Sequence, residues 1–313
     1  MSSSSSPRPA RLPRYRRAKN PPAFRLTDRD VRILRYLYDL RLLDRGQIQR
    51  LEFTPAGTSA CKRRLTLLFH HGYVDRRYAA NNAPFGASRS AYCLDRIGAE
   101  TLAARLGSQL RDLDWRADDA RRDALFLDHL LDTNDMYISL RLACGASMTL
   151  DWLSERTLRR GLTGIKLASG VQVDGADLVP IPDAHAVITG AEQYAFAIEL
   201  DKGTVEERRL RRKFVAYGEW LSSGAWSPHL PGPVPRVLFV VAAGAASASR
   251  LERLVRWCEA EGGRSLFWFA EHEDVVRSDV LRDAIWAVAG DNIRQRLLAV
   301  APITIAPTLP RLR

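Results

Sequence analysis

The spacing of the apolar residues changes at Gly72, and this change limits the folds that the first hundred residues can adopt. Three segments before Gly72 carry apolar residues at helical spacing, over residues 27–40, 44–53 and 58–71. The alternating residues after Gly72 predict the two strands of a hairpin, over residues 73–78 and 90–94. A further helix is predicted over residues 97–106. Three helices followed by a hairpin is the order of a winged helix-turn-helix.

In a winged helix-turn-helix the third helix faces the major groove of DNA, and the hairpin lies near the phosphate backbone. The residues predicted to contact DNA are Ser59, Lys62, Arg63 and Thr66 on the third helix, and Arg76, Arg77 and Arg89 on the hairpin. Winged helices also serve as docking modules for proteins. Charge favours DNA, because residues 26–108 hold 14 basic against 8 acidic residues.

The excess of positive charge is confined to the first third of the chain. Residues 1–25 hold seven basic and no acidic residues, and the whole chain has a formal charge of +11. The Ser, Pro and Arg content of this segment predicts a disordered arm, since it offers little apolar surface to bury. Such an arm is attracted to phosphates through counterion release, or it serves only as a solubilising tail.

The composition excludes several classes of protein. Four scattered cysteines without a C-x-x-C pair exclude a zinc ribbon and a disulfide framework. No apolar run approaches the roughly 20 residues of a membrane-spanning helix, and the N-terminus lacks the apolar core of a signal peptide. We therefore expect a cytoplasmic protein without a membrane partner. The chain also lacks the G-x-x-x-x-G-K-[ST] motif of ATP-driven motors and the G-x-S-x-G motif of hydrolases.

The remainder of the chain predicts a helical linker over residues 109–145, an α/β domain over 146–301 and a C-terminal tail over 302–313. Within the α/β domain, helices are predicted over residues 150–160, 205–221, 247–261, 279–289 and 291–300. Strands are predicted over residues 171–173, 178–181, 182–188, 194–202, 236–243 and 265–270. This order favours an α/β (α+β) sandwich built on a mixed sheet.

Three sequence features of the second domain carry a resemblance. Glu155 on a leading helix, Pro182-Asp183 on one strand and Glu199-x-Asp201-Lys202 on its partner resemble the PD-(D/E)xK restriction-endonuclease-like core. A winged helix, then Glu-Leu-Asp-Lys-Gly-Thr, then a basic helix form a layout that resembles the plasmid replication-relaxation family. That family is related to the MOB-C class of conjugative relaxases, and the resemblance covers about residues 26–270.

The resemblance implies a nuclease site that uses Mg²⁺ or Mn²⁺. It implies that the metal ligands are Glu155, Asp183 and Glu199, and that the catalytic residues are Asp183, Glu199, Asp201, Lys202 and Lys213. Carboxylates holding such a cation beside a scissile phosphate neutralise charge and activate a water. Side chains alternate along a strand, so Glu199 and Asp201 share a face and Lys202 points to the other. Asp201 thus stands where the lysine of E-x-K is expected, and Lys213 from the following helix is a candidate substitute.

Two hypotheses of different class remain open. In the first, the protein is a metal-dependent nicking nuclease that acts at the origin of a plasmid or integrative element, with other mobilisation or replication proteins as candidate partners. In the second, it is a non-catalytic origin-binding or regulatory protein. Tyr217 is a candidate covalent nucleophile under the first hypothesis, although a Tyr at helical spacing is more often a packing residue. His129 is interpreted as structural, and the sequence leaves the oligomeric state open.

Overall fold

The computed structural model divides the chain into two compact units, residues 1–131 and 132–313. It describes residues 12–78, 90–117, 124–162, 171–173, 176–178, 180–263 and 265–301. The division between the units falls inside one helix, α5, which spans Ala124–Cys144. Among the described helices, none combines the length with the apolar composition that a membrane span requires.

The first unit has the helices and the hairpin that the apolar spacing predicts. Its elements are α1 (Asp28–Leu40), β1 (Leu43–Asp44), α2 (Arg45–Glu52), α3 (Thr58–His70), β2 (Val74–Tyr78), β3 (Ser90–Leu94) and α4 (Arg96–Arg105). β2 and β3 pair antiparallel, with Val74 opposite Leu94 and Arg77 opposite Ala91. The short β1 pairs with the other side of β3, so the sheet order is β1-β3-β2.

Helix α1 begins at a capping box and is attached to α3 by a buried ion pair. The Thr27 side chain accepts a bond from the backbone of Asp30, and the Asp30 carboxylate accepts one from the backbone of Thr27. Arg64 on α3 donates to both oxygens of Asp30. Burial alone would raise the pKa of Asp30, but the bonds from Arg64 and Thr27 hold it below its usual value.

The segment before α1, which we expected to be disordered, packs on the first unit over its described part. Arg17 donates to the carbonyl oxygen of Phe69 at 2.9 Å and pairs with Asp95. The Phe24 ring stacks on the imidazole of His71 with 5.0 Å between centroids. These contacts supply the apolar and hydrogen-bonded surface that the composition alone did not indicate. Residues 1–11 of the predicted arm lie outside the described residues.

The second unit is built on a mixed sheet, as predicted. Its elements after α5 are β4 (Thr149–Ser154), α6 (Glu155–Leu162), β5 (Val171–Val173), β6 (Ala176–Leu178), β7 (Ala184–Thr189), β8 (Gln193–Asp201), α7 (Glu207–Ser222), β9 (Arg236–Val241), α8 (Ser247–Ala260), β10 (Phe267–Glu271), α9 (His272–Arg277) and β11 (Ala287–Val288). Within the described residues the main sheet has the order β11-β10-β9-β8-β7-β4. β8, β9 and β10 run parallel, and the other pairs are antiparallel.

The two faces of this sheet carry different helices. Phe196, Ile198 and Leu200 of β8 pack in one core with Met136 and Leu140 of α5. Ala197 of β8 packs in the opposite core, which contains apolar residues of α7 and α8. Because side chains alternate along β8, its next odd-numbered positions, 199 and 201, face α7 and α8 as well.

Two predictions for this unit were wrong. Residues 150–154 belong to strand β4 rather than to a helix, because Leu150 and Trp152 alternate inward and β4 pairs antiparallel with β7. The helices predicted over residues 279–289 and 291–300 are absent from the described structure. Residues there form a turn, β11 and a short 3₁₀ turn, since β11 completes the sheet beside β10 and Trp286 is fully buried.

The small hairpin of β5 and β6 also differs slightly from the prediction. The second strand spans Ala176–Leu178 rather than residues 178–181. Its pairing with β5 places Val173 opposite Ala176, and this register fixes where β6 begins.

Candidate functional site

Glu199 lies near the end of β8 and is held by two side chains of α7. Lys213 donates from its Nζ atom to Oε2 of Glu199, and the Tyr217 hydroxyl donates to Oε1. Lys213 and Tyr217 are four residues apart, which puts them on the same face of α7. Glu199 is only 3% exposed and Tyr217 is fully buried. Both oxygens of this buried carboxylate are therefore bonded by the protein.

The surroundings of Glu199 raise the pKa of its carboxyl group toward neutral pH. Burial raises the pKa of Glu199 to about 7, although the positive charge of Lys213 opposes this and the charge of Asp183 adds to it. Burial and the neighbouring Glu199 raise the pKa of Tyr217 well above its usual value. The carboxyl group is thus near its titration midpoint at pH 7, while Tyr217 stays a phenol.

Asp183 connects the beginning of β7 with two neighbouring elements. Its Oδ2 atom accepts a hydrogen bond from the backbone N–H of Leu200 at 2.8 Å. Its backbone oxygen accepts one from the N–H of Glu155, the first residue of α6, at 2.9 Å. The structure therefore brings Asp183 and Glu199 together at one end of the β7–β8 hairpin, with Asp183 half-buried and Glu199 buried.

The Glu155 side chain does not join these two carboxylates in a three-ligand group. Its carboxylate pairs with Arg159 one turn further along α6, with 2.6 Å between the charged atoms. The Glu155 side chain is 31% exposed, in contrast to the buried Glu199. Only its backbone is attached to Asp183.

Asp201 lies on the same sheet face as Glu199, as the alternation predicts, but it has a different partner. Arg250 of α8 donates to both carboxylate oxygens of Asp201, at 2.7 and 3.1 Å. Arg250 also donates to the backbone oxygen of Val205 at 2.9 Å. Both side chains are largely buried, so this bidentate pair attaches α8 to the end of β8.

Lys202 points to the opposite face of the sheet, again as the alternation predicts. Its Nζ atom pairs with Oδ2 of Asp132 on α5. Among the described residues, one group of three His, Cys, Asp or Glu side chains has ligand atoms within 4.8 Å of one another, namely Asp132, Asp135 and His272. This group was not among the predicted site residues. The only signal for it was the Asp-x-x-Asp spacing on the apolar helix α5.

The residues predicted to read DNA on α3 lie at its surface. Ser59, Lys62 and Arg63 are exposed. Thr66 is half-buried, and its hydroxyl donates to the backbone oxygen of Lys62 at 2.8 Å. The inward side of α3 carries Leu65 and Leu68, which are fully buried. The outer face of the helix therefore presents a basic and hydroxyl-bearing surface.

The arginines predicted on the hairpin are engaged with other side chains. The Arg76 guanidinium lies 3.7 Å from the centroid of the Phe69 ring. Arg77 pairs with Asp75 on the same strand at 3.0 Å. Both are half-buried. Arg89 lies outside the described residues.

Comparison with known proteins gives one match. A family model described as replication-relaxation matches residues 34–234, nearly two thirds of the chain. The matched range includes the exposed face of α3 and the contact of Glu199 with Lys213, whereas Arg250 and His272 lie beyond it. No curated protein and no solved structure matches the chain.

Proposed function

The chain belongs to the replication-relaxation family, and we propose that it binds DNA in the replication or mobilisation of a plasmid or integrative element. The observation that carries DNA binding is the exposed face of α3, with Ser59, Lys62 and Arg63. Helix α3 contains no acidic residue, and residues 26–108 have a net charge of +6. Such a surface attracts the phosphate backbone through counterion release. Other replication or mobilisation proteins are candidate partners at the same origin.

Within this surface, α3 is the main contact and the hairpin arginines support it. Lys62 and Arg63 are exposed and extend from a helix whose opposite side is fixed in the core. Arg77 has to exchange its pair with Asp75 before it reaches a phosphate, and Arg76 is stacked on Phe69. Substitutions on α3 should therefore weaken DNA binding more than substitutions on β2.

This proposal is tested by the double substitution Lys62→Ala and Arg63→Ala. We expect the Kd for origin DNA to rise at least about tenfold, and the slope of log K against log salt to fall by about one for each phosphate that the variant no longer neutralises. Fluorescence anisotropy at several salt concentrations measures both quantities. Arg105→Ala removes an exposed arginine from α4 of the same unit and serves as the control. Equal Kd values for the double variant and the wild type would contradict the proposal.

A second candidate function is DNA cleavage at Asp183, Glu199 and Lys213. The observation that favours it is the contact of Lys213 with Glu199, because this lysine reaches back from the helix after the strand. The E-x-K pattern expects a lysine at position 201, where this chain has Asp201. Lys213 supplies a lysine close to Glu199 in its place. Lys213 keeps 32% of its side chain exposed and Asp183 is half-buried, so a phosphate could approach from this side.

The carboxylate oxygens of Asp183 and Glu199 are the type of ligand that Mg²⁺ and Mn²⁺ prefer. The Glu155 carboxylate pairs with Arg159 and is not part of this proposed metal site. The carboxylates of Asp183 and Glu199 are close enough for the charge of Asp183 to raise the pKa of Glu199. A hard cation held by carboxylate oxygens would offset that repulsion. When bound, it would neutralise the scissile phosphate and activate a water. Lys213 would orient the phosphate or water, and Tyr217 would position the carboxylate of Glu199 from its buried site.

The non-catalytic hypothesis is supported by a specific observation too. Lys213 pairs with Glu199 and Arg250 pairs with Asp201, so each of these two carboxylates has a cationic partner without a metal. A protein in which these pairs only support the fold would bind its origin and leave the DNA intact.

Supercoiled DNA carrying the origin of the protein's own element distinguishes the two hypotheses. Under the cleavage hypothesis, Mg²⁺ or Mn²⁺ yields nicked circles, and chelator, Asp183→Asn or Glu199→Gln abolishes them. Glu192→Gln, an exposed substitution in the turn before β8, is the matched control and should cut like the wild type. Binding without nicking under either metal would support the non-catalytic hypothesis.

A further inference from the structure

The face of the sheet opposite Glu199 carries a separate group of charged side chains. Asp132 and Asp135 lie one turn apart on α5, and both are buried. His272 follows the last residue of β10, and its side chain is 12% exposed. The Nε2 atom of His272 is 3.3 Å from Oδ2 of Asp135 and 3.9 Å from Oδ1 of Asp132. Three atoms that can act as metal ligands therefore converge on one point.

The imidazole of His272 is the feature that points to a ligand. Its Nε2 atom is shielded from solvent and makes no hydrogen bond to any described residue, although two carboxylates face it. A buried polar atom without a hydrogen bond is unfavourable unless another group satisfies it. A divalent cation between Nε2 and the two oxygens would supply that interaction and offset both negative charges.

Lys202 contacts a different oxygen of Asp132 from the one that is near His272. The lysine contacts Oδ2 of Asp132, whereas the distance to His272 is measured from Oδ1 of the same carboxylate. An ion bound through Oδ1 would share this carboxylate with Lys202, which is a common way of fixing the orientation of a ligand.

The position in the sheet also suits a binding site. β8, β9 and β10 are parallel, so their carboxyl ends lie at the same edge of the sheet. Lys202 follows the end of β8 and His272 follows the end of β10. Side chains that follow different strands can therefore meet at this edge of the sheet.

We propose that Asp132, Asp135 and His272 form a metal site that is distinct from the pair of Asp183 and Glu199. One imidazole nitrogen with two carboxylate oxygens favours a transition-series divalent ion, such as Mn²⁺ or Zn²⁺, over Mg²⁺. Water completes the coordination, because the three side chains supply fewer ligands than either ion takes. The proposal does not depend on DNA cleavage.

Mn²⁺ alone is the probe that tests the site, added to the full chain after treatment with chelator. Pulsed electron paramagnetic resonance of the bound ion detects nitrogen coupling when an imidazole is a ligand. We expect that coupling in the wild type, and in Glu199→Gln as well, because the second carboxylate pair is not involved. Bound Mn²⁺ that shows no nitrogen coupling would overturn the proposal, as would a wild-type chain that binds no Mn²⁺.

Affinity provides a second measurement on variants. His272→Gln should raise the Kd for Mn²⁺ at least about tenfold and remove the nitrogen coupling. His229→Gln changes a half-buried histidine elsewhere in the same unit and should leave both unchanged. Asp135→Asn should weaken binding similarly, in contrast to Asp128→Asn one turn before Asp132 on α5. Circular dichroism verifies that His272→Gln is folded, and an unchanged Kd for Mn²⁺ in the folded variant would refute the site. If the variant does not fold, the presence or absence of nitrogen coupling in the wild type decides the question.

Discussion

Replacing Glu199 with glutamine should remove a pH-dependent part of the stability of this protein. Burial raises the pKa of Glu199 to about 7 in the folded state, against an ordinary value of 4.5. Between these two values the folded protein keeps a proton on Glu199 that the unfolded chain has lost. The free energy of unfolding therefore falls as the pH rises through this window, and the loss is complete about one unit above the pKa of the folded state.

The size of the effect follows from the two pKa values of Glu199. Each pKa unit corresponds to about 1.4 kcal/mol, so the full difference amounts to about 3 kcal/mol, most of it lost between pH 5 and pH 8. Glutamine cannot ionise, and it preserves the volume and the acceptor for the Tyr217 hydroxyl. The variant should therefore lack this loss, whatever its stability at pH 5.

Urea unfolding at pH 5, 6, 7 and 8 measures this effect of Glu199→Gln. The decisive quantity is the change in unfolding free energy between pH 5 and pH 8 in the wild type minus the same change in the variant. Subtraction removes the contribution of other titrating groups, such as histidines. Glu192→Gln, whose carboxylate is exposed, should follow the wild type. Parallel pH profiles for Glu199→Gln and the wild type, within about 0.5 kcal/mol, would show that burial does not raise this pKa.

Two further substitutions test packing, one beside Asp201 at the end of β8 and one on α4 of the first unit. Arg250→Met leaves the buried carboxylate of Asp201 without a countercharge, which should cost about 3 to 5 kcal/mol in urea unfolding, and adding Asp201→Asn should restore part of it. A loss below about 1 kcal/mol would mean that the pair is solvated. Gly98→Ala on α4 would place a Cβ atom 2.1 Å from the backbone oxygen of Tyr73, so we expect thermal unfolding at least about 4 °C lower. An unchanged Tm would show that α4 can move away from β2.

The first unit could be predicted closely because its signals are local. Helices α1 and α3 each present apolar residues at regular spacing, and Thr27 begins α1 with a capping box that the sequence displays. The change of period at Gly72 marks the turn into β2. The packing of Phe24 on His71 was not predictable in this way, because it joins residues 47 positions apart through a contact between ring faces.

The errors in the second unit arise where local patterns fit two structures. Residues 150–160 contain both an alternating stretch and a helical stretch, and pairing with β7 makes the first part a strand. Near the C-terminus, Trp286 and Val288 have the spacing of a strand, while Leu281, Ile285 and Val288 have the spacing of a helix. β11 pairs with β10 at the edge of the sheet, and Trp286 is buried. The local sequence does not indicate that β10 lacks a partner on this side, so β11 could not be predicted from it.

The charged residues at the end of β8 show where sequence reasoning about a site stops. Alternation along the strand correctly separates Asp201 from Lys202, since adjacent residues face opposite sides of the sheet. It cannot reveal that α8 returns Arg250 to Asp201, or that His272 meets Asp132 across 140 residues of chain. Those contacts exist because the parallel strands β8, β9 and β10 bring their carboxyl ends to one edge. A single-residue offset at the end of β8 thus divides the charged side chains into two groups. One group is paired with cations of α7 and α8, and the other lies near a histidine that is distant in the sequence.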